Sequence, residues 1–88
     1  MVFRVVLDDY ARKNLSRLDK SVREAVCKRL HRLELDDFEP RHLKHGVPFF
    51  VEEVGQYRIC FKIRYELGEK RVYFIGDHDA YGKWLAQQ

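Results

Sequence analysis

From Tyr57 to Glu66 the chain alternates with a period of two. Tyr57, Ile59, Phe61, Ile63 and Tyr65 fall on one side, and Arg58, Cys60, Lys62, Arg64 and Glu66 on the other. A run of this kind reads as a β-strand with one apolar face, and a strand with one apolar face needs a covering layer. Gly55-Gln56 before it and Leu67-Gly68-Glu69 after it are tight connections, with Gly68 free to take a positive φ. Phe49–Val54 and Lys70–Gly76 therefore pair with it as an antiparallel meander.

The covering layer comes from the first half of the chain. Val2–Leu7 is rich in β-branched residues and reads as a first strand. Asp8 or Asp9 then offers a helix N-cap, and Ala11, Leu15 and Leu18 make one apolar stripe on a short helix. After a turn at Asp19-Lys20, Ser21-Val22-Arg23-Glu24 fits a capping box. Val22, Val26, Leu30 and Leu33 continue the stripe along a longer helix that ends near Leu35 or Asp36. The short link makes the pair an antiparallel hairpin. Asp37–Pro48 is irregular, and Asp77 or Asp79 can cap a final short helix containing Tyr81, Trp84 and Leu85. The expected fold is α+β, a small antiparallel sheet with an N-terminal helical hairpin on one face, in the order β-α-α-β-β-β-α. At 88 residues it is a single domain spanning 1–88. Its other face is only partly covered and is the natural place for a site.

Composition narrows the function classes. Charged residues make up 35% and apolar or aromatic ones 45%, so this is no disordered chain. A net charge of +3 and a pI near 9.0 permit an anionic partner without requiring one. Cys27 and Cys60 stand far apart, in no CxxC pattern, and read as buried free thiols. No stretch approaches the ~20 apolar residues of a membrane span. Arg4, Asp8 and Asp9 interrupt the only apolar run at the start, so no signal peptide is expected and the cytoplasm is the default location. The histidines show no ligand spacing with a carboxylate partner, so no metal site and no cofactor are expected.

Candidate chemistry collects on the second half. Arg58 stands just after a turn on the polar side of its strand, where a guanidinium can grip two phosphate oxygens; the plain alternative is a solvated member of the Arg58/Lys62/Arg64 stripe. His78 follows the last strand and can give or take a proton near neutrality, unless Asp77 or Asp79 simply pairs with it. Tyr81 shares a helical face with His78 and can stack on a base or pack in the core with Trp84. His42, Lys44 and His45 crowd, with Arg41, into one basic loop suited to a phosphate backbone. Glu52 and Glu53 are adjacent on a strand, so one of them faces whichever side is used, as a general base or as a charge-balancing partner.

With these elements placed, the chain resembles the RelE/ParE toxin superfamily of type II toxin–antitoxin systems. The resemblance rests on Phe3-Arg4-Val5-Val6-Leu7, Leu18-Asp19-Lys20-Ser21-Val22-Arg23, His42-Leu43-Lys44, Gly55-Gln56-Tyr57-Arg58-Ile59 and Ile75-Gly76-Asp77-His78-Asp79-Ala80-Tyr81. It implies a small protein that inhibits translation by cleaving mRNA, usually on the ribosome and without metal, through attack of a ribose 2′-hydroxyl. It also implies a cognate antitoxin as partner. By position, Arg58 would stabilise the pentacoordinate phosphate, His78 would be the acid or base, Tyr81 the terminal aromatic, and Lys44 a loop cation. Arg41, His42, Lys62 and Arg64 would contact RNA. Some RelE members carry lysines where Glu52 and Glu53 stand, so a His/Glu/Arg arrangement fits better here. The ParE branch, which poisons DNA gyrase by contact, usually lacks the terminal histidine. A gyrase inhibitor and a catalytically inactive homologue that only binds are the alternatives.

Overall fold

The computed structural model describes residues 2–35, 41–42 and 49–88. The elements run β1 (Arg4–Leu7), α1 (Asp9–Ser16), α2 (Lys20–Glu34), β2 (Arg41–His42), β3 (Phe50–Val54), β4 (Tyr57–Arg64), β5 (Glu69–Asp77) and α3 (His78–Ala86). The sheet order is β1-β5-β4-β3-β2. The meander β3-β4-β5 is antiparallel, whereas β1 lies parallel to β5, with Arg4 opposite Glu69 and Leu7 opposite Val72. The sheet is thus mixed at one edge. No tight turn joins β1 to β5, so hairpin geometry does not constrain their direction. At the other edge Arg41 and His42, within the segment expected to be irregular, pair with Val51 and Phe50.

Two turns make the meander. Gly55 opens the two-residue link between Val54 and Tyr57 at φ +60°. Gly68 takes the same φ after a single 3-10 turn at Tyr65–Leu67, which ends β4 earlier than the alternation suggests. Such values cost little only without a Cβ. The α2 start also differs from expectation. The helix begins at Lys20 with Asp19 as the N-cap residue, and Ser21 lies exposed inside the first turn, so no capping box forms. The chain leaves α1 through close i+3 bonds, Arg17 N–H to Asn14 and Leu18 N–H to Leu15 (both 3.2 Å), which brings Asp19 into the starting position.

The sheet carries a packed core on each face. The hairpin covers one, where Ala11, Val26, Leu30 and Leu33 meet Ile59, Phe61, Val72 and Ile75. The short α3 covers part of the other, setting Tyr81 and Trp84 against Phe49, Val51, Cys60 and Phe74. Val72 and Ile75 face the same way although they are three residues apart. The reason is a bulge in β5: Phe61 pairs with Val72 and Cys60 with Phe74, leaving Tyr73 extra. Tyr73 and Phe74 therefore both serve the α3 side.

Charges are buried at the opposite pole. Glu69, 3% exposed, holds Arg4 (3.4 Å) and Arg71 (3.2 Å). Lys70, 2% exposed, donates to the Leu33 carbonyl at the end of α2 (2.9 Å) and lies 4.7 Å from the Phe3 ring centre. A buried ammonium needs such acceptors to offset its lost hydration. No helix among the described residues is long and apolar enough to cross a membrane.

Candidate active site

The α3 face of the sheet carries an open pocket of about 240 Å³ lined by Glu53, Gly55, Gln56, Arg58 and His78. Three elements build it. Arg58 and Glu53 face one another as a cross-strand pair at the β3–β4 turn. Gly76, opposite Arg58 on the other side, brings β5 to its end, and His78 follows as the first residue of α3. Gly76 is required by packing: a Cβ there would sit 2.6 Å from Cζ of Phe74 and 3.2 Å from Cβ of Ala80. The absence of that methyl lets α3 fold back tightly onto the sheet.

The start of α3 frees His78. Asp77 is the N-cap and its Oδ1 accepts from the Ala80 N–H (2.9 Å). Among the described residues neither Asp77 nor Asp79 forms an ion pair with His78, whose side chain lies at the exposed rim. The simple Asp–His pairing considered from sequence is therefore not the arrangement found.

Arg58 rests on Tyr81, its guanidinium carbon 4.7 Å from the ring centre. Tyr81 is itself 7% exposed and tilted against Phe74 (6.1 Å) and Trp84 (6.4 Å). Burial pushes its phenol pKa up, helped by the neighbouring Cys60 thiol, while Arg58 pulls the other way through its charge and a hydrogen bond. The ring stays neutral and is a firm seat for the cation. Among the described residues Arg58 has no carboxylate within ion-pair distance, so its charge remains available to an anion. Directly below, burial raises the Cys60 thiol to about 12 against the opposing pull of Arg58.

The two glutamates separate. Glu52 points to the hairpin side and is ion-paired with Arg29 of α2, whereas Glu53 reaches the pocket. Arg29 also donates to the Glu53 carbonyl (3.1 Å), fixing that strand from behind. Of the other sequence candidates, Lys62 lies further along β4, over Phe49 (5.0 Å) and Tyr73 (5.3 Å). Arg64 is at the far end of the strand, paired with Glu66 (3.1 Å). Arg41 and His42 form β2 at the sheet edge, and Lys44 lies outside the described residues. Among the described residues no three His, Cys, Asp or Glu side chains group closely enough to hold a metal. Sequence reasoning missed Gln56 as a pocket wall and Arg29 as the support behind Glu53. The only signal for Arg29 is its place on the covering helix.

An arginine seated on an aromatic ring, with an exposed imidazole and a carboxylate beside it, thus stands on a mixed sheet backed by a helical hairpin, a RelE-like α+β fold. Known structures that share this fold include RelE toxins, alone and with their antitoxins. An Escherichia coli RelE toxin in the free state, carrying two arginine-to-alanine substitutions, superposes with a TM-score of 0.77 at 21% identity, covering 96% of this chain and 92% of that one. The RelBE2 toxin–antitoxin complex of Mycobacterium tuberculosis gives 0.72 at 20% identity, over 89% and 93% of the two chains. The archaeal RelE–RelB complex of Pyrococcus horikoshii gives 0.69 at 15%, over 88% and 96%. No protein-family model and no curated protein sequence matches the chain.

Proposed function

We propose that this protein is the toxin of a toxin–antitoxin pair and acts as a metal-independent endoribonuclease that cleaves mRNA on the ribosome. The observation that carries the reading is the convergence of Arg58, Glu53 and His78 on one open pocket, from β4, β3 and α3. In the proposed reaction a ribose 2′-oxygen attacks the adjacent phosphorus while the bond from phosphorus to the 5′-oxygen breaks. Glu53 takes the 2′-hydroxyl proton, and protonated His78 gives a proton to the departing 5′-oxygen. The products are a 2′,3′-cyclic phosphate and a free 5′-hydroxyl. Arg58 stabilises the charge that grows on the phosphate oxygens, held in place by Tyr81. A cognate antitoxin is the natural partner, since solved chains of this fold include complexes with RelB antitoxins.

The test is cleavage of RNA by purified protein in excess EDTA, with mapping of mRNA 5′ ends after induction in cells. Losing Arg58 should slow cleavage about 10²–10³-fold, as for single transition-state donors. Losing His78 should slow it about 10²–10⁴-fold, the usual span for an acid–base group. If Arg58→Ala and His78→Ala fold normally, stay fully toxic and cut no RNA, the ribonuclease reading fails and gyrase inhibition by contact replaces it.

A further inference from the structure

The Arg58 pocket is not the only concavity on the α3 face. A second one, of about 230 Å³, opens at the other end of α3, where Tyr10, Phe49, Lys62, Tyr73 and Trp84 come together with Asp8. Its floor is apolar: Phe49 and Trp84 are buried, with ring centres 5.0 Å apart, and Phe49 meets Tyr73 edge-on at 6.1 Å. Its rim is Tyr10, a large aromatic left 48% exposed on α1. Lys62 projects over the Phe49 and Tyr73 faces, and among the described residues no carboxylate lies within ion-pair distance of it.

We infer that this pocket is a second nucleotide subsite, which holds a single-stranded base against Tyr10 and Tyr73 and its phosphate against Lys62. The inference rests on the ribonuclease reading for its substrate. The chemistry is that of single-strand recognition, in which aromatic faces take bases and nearby cations take the backbone. Asp8 sets the direction. Its carboxylate repels a phosphate and accepts from an exocyclic amine, so the base lies toward Asp8 and the backbone toward Lys62. The spacing suits one continuous strand. Arg58 and Lys62 lie on the same face of β4, four residues and roughly 13 Å apart. The helix between the pockets, with His78 at its start and Trp84 near its end, covers a similar roughly 13 Å. An RNA segment laid along α3 meets the cleavage pocket at one end and the aromatic pocket at the other.

Trp84 is the sole tryptophan, so its fluorescence reports the second pocket directly. The probe is a 2′-O-methyl oligoadenylate, which lacks the attacking hydroxyl and cannot be cut. Titrating it into the wild-type protein should change Trp84 emission saturably. Tyr10→Ala and Lys62→Gln, both at sites that leave the core intact, should each weaken binding about 5- to 100-fold. On cleavable RNA Tyr10→Ala should raise KM for a long strand and leave the rate on a dinucleotide unchanged. No fluorescence response, wild-type affinity in both variants, or equal losses on long and short substrates would overturn the subsite. A protein whose Trp84 responds but which never cuts RNA retains the subsite and refutes the ribonuclease reading instead.

Discussion

Glu52 and Glu53 differ by one position, and in a strand one position means the opposite face. Glu52→Gln should therefore lower stability by about 1–3 kcal/mol, because it weakens a part-buried charged hydrogen bond to Arg29 and leaves the guanidinium short of a partner. It should leave the intrinsic cleavage rate near wild type. Glu53→Gln should do the reverse, slowing cleavage with little change in melting temperature; equal behaviour of the two would contradict the facing described here. Cys60 is a second residue whose surroundings decide its chemistry. Its thiol is raised from 9.0 to about 12 by burial, so the folded state holds a proton that the unfolded chain releases. The contribution to stability is fully present below pH 9 and is lost as pH rises from about 9 through about 12. The raised Tyr81 phenol acts in the same direction. Urea midpoints should fall across that range in the wild type and fall less steeply in Cys60→Ala. Native protein should react with thiol reagents at the half-buried Cys27 before Cys60.

At the scale of elements, α3 depends on a glycine. The Cβ that Gly76→Ala would add collides with the Phe74 ring, which is stacked on Trp84 at 4.9 Å and 20°. That ring can yield only by moving Trp84, so the substitution should cost about 1–3 kcal/mol by overpacking. It should also lower cleavage further than the stability loss explains, because α3 carries His78 and Tyr81; unchanged kinetics in a folded Gly76→Ala would show that the placement of α3 is unimportant. These dependencies also mark how far the sequence was readable. The alternation in β4 gave away the strand, its buried face and the side on which Arg58 and Lys62 stand, and the position of His78 after the last strand put it beside Arg58. Which glutamate joins them depends on pairing between β3 and β4, which no local pattern records. The bulge at Tyr73 was hidden for the same reason: a break in period becomes visible only against a partner strand. So was Asn14, whose Oδ1 accepts from the Ile75 N–H (3.1 Å) beyond the end of β1, and so was the burial of Lys70 against Phe3.

For the whole molecule, the central fact is that β4 and β5 supply both cores. Ile59, Phe61, Val72 and Ile75 face the hairpin, while Cys60 and Phe74, interleaved with them, face α3. Neither layer can be lost without baring the back of the strands that the other layer covers. A domain of this length has a total stability of about 4–13 kcal/mol. Phe61→Ala, at a fully buried position, should cost about 3–5 kcal/mol and bring the chain close to unfolding at room temperature. The shared strands further imply one cooperative transition. In urea, Trp84 emission, which reports the α3 side, and far-UV circular dichroism, dominated by the hairpin helices, should trace the same midpoint. Phe61→Ala should move both curves together, although Phe61 belongs to the hairpin-side core and Trp84 to the other. If Trp84 emission changes at lower urea than the dichroism, α3 is released before the sheet melts. The site would then be assembled by a helix that comes and goes, not by the rigid unit the packing describes.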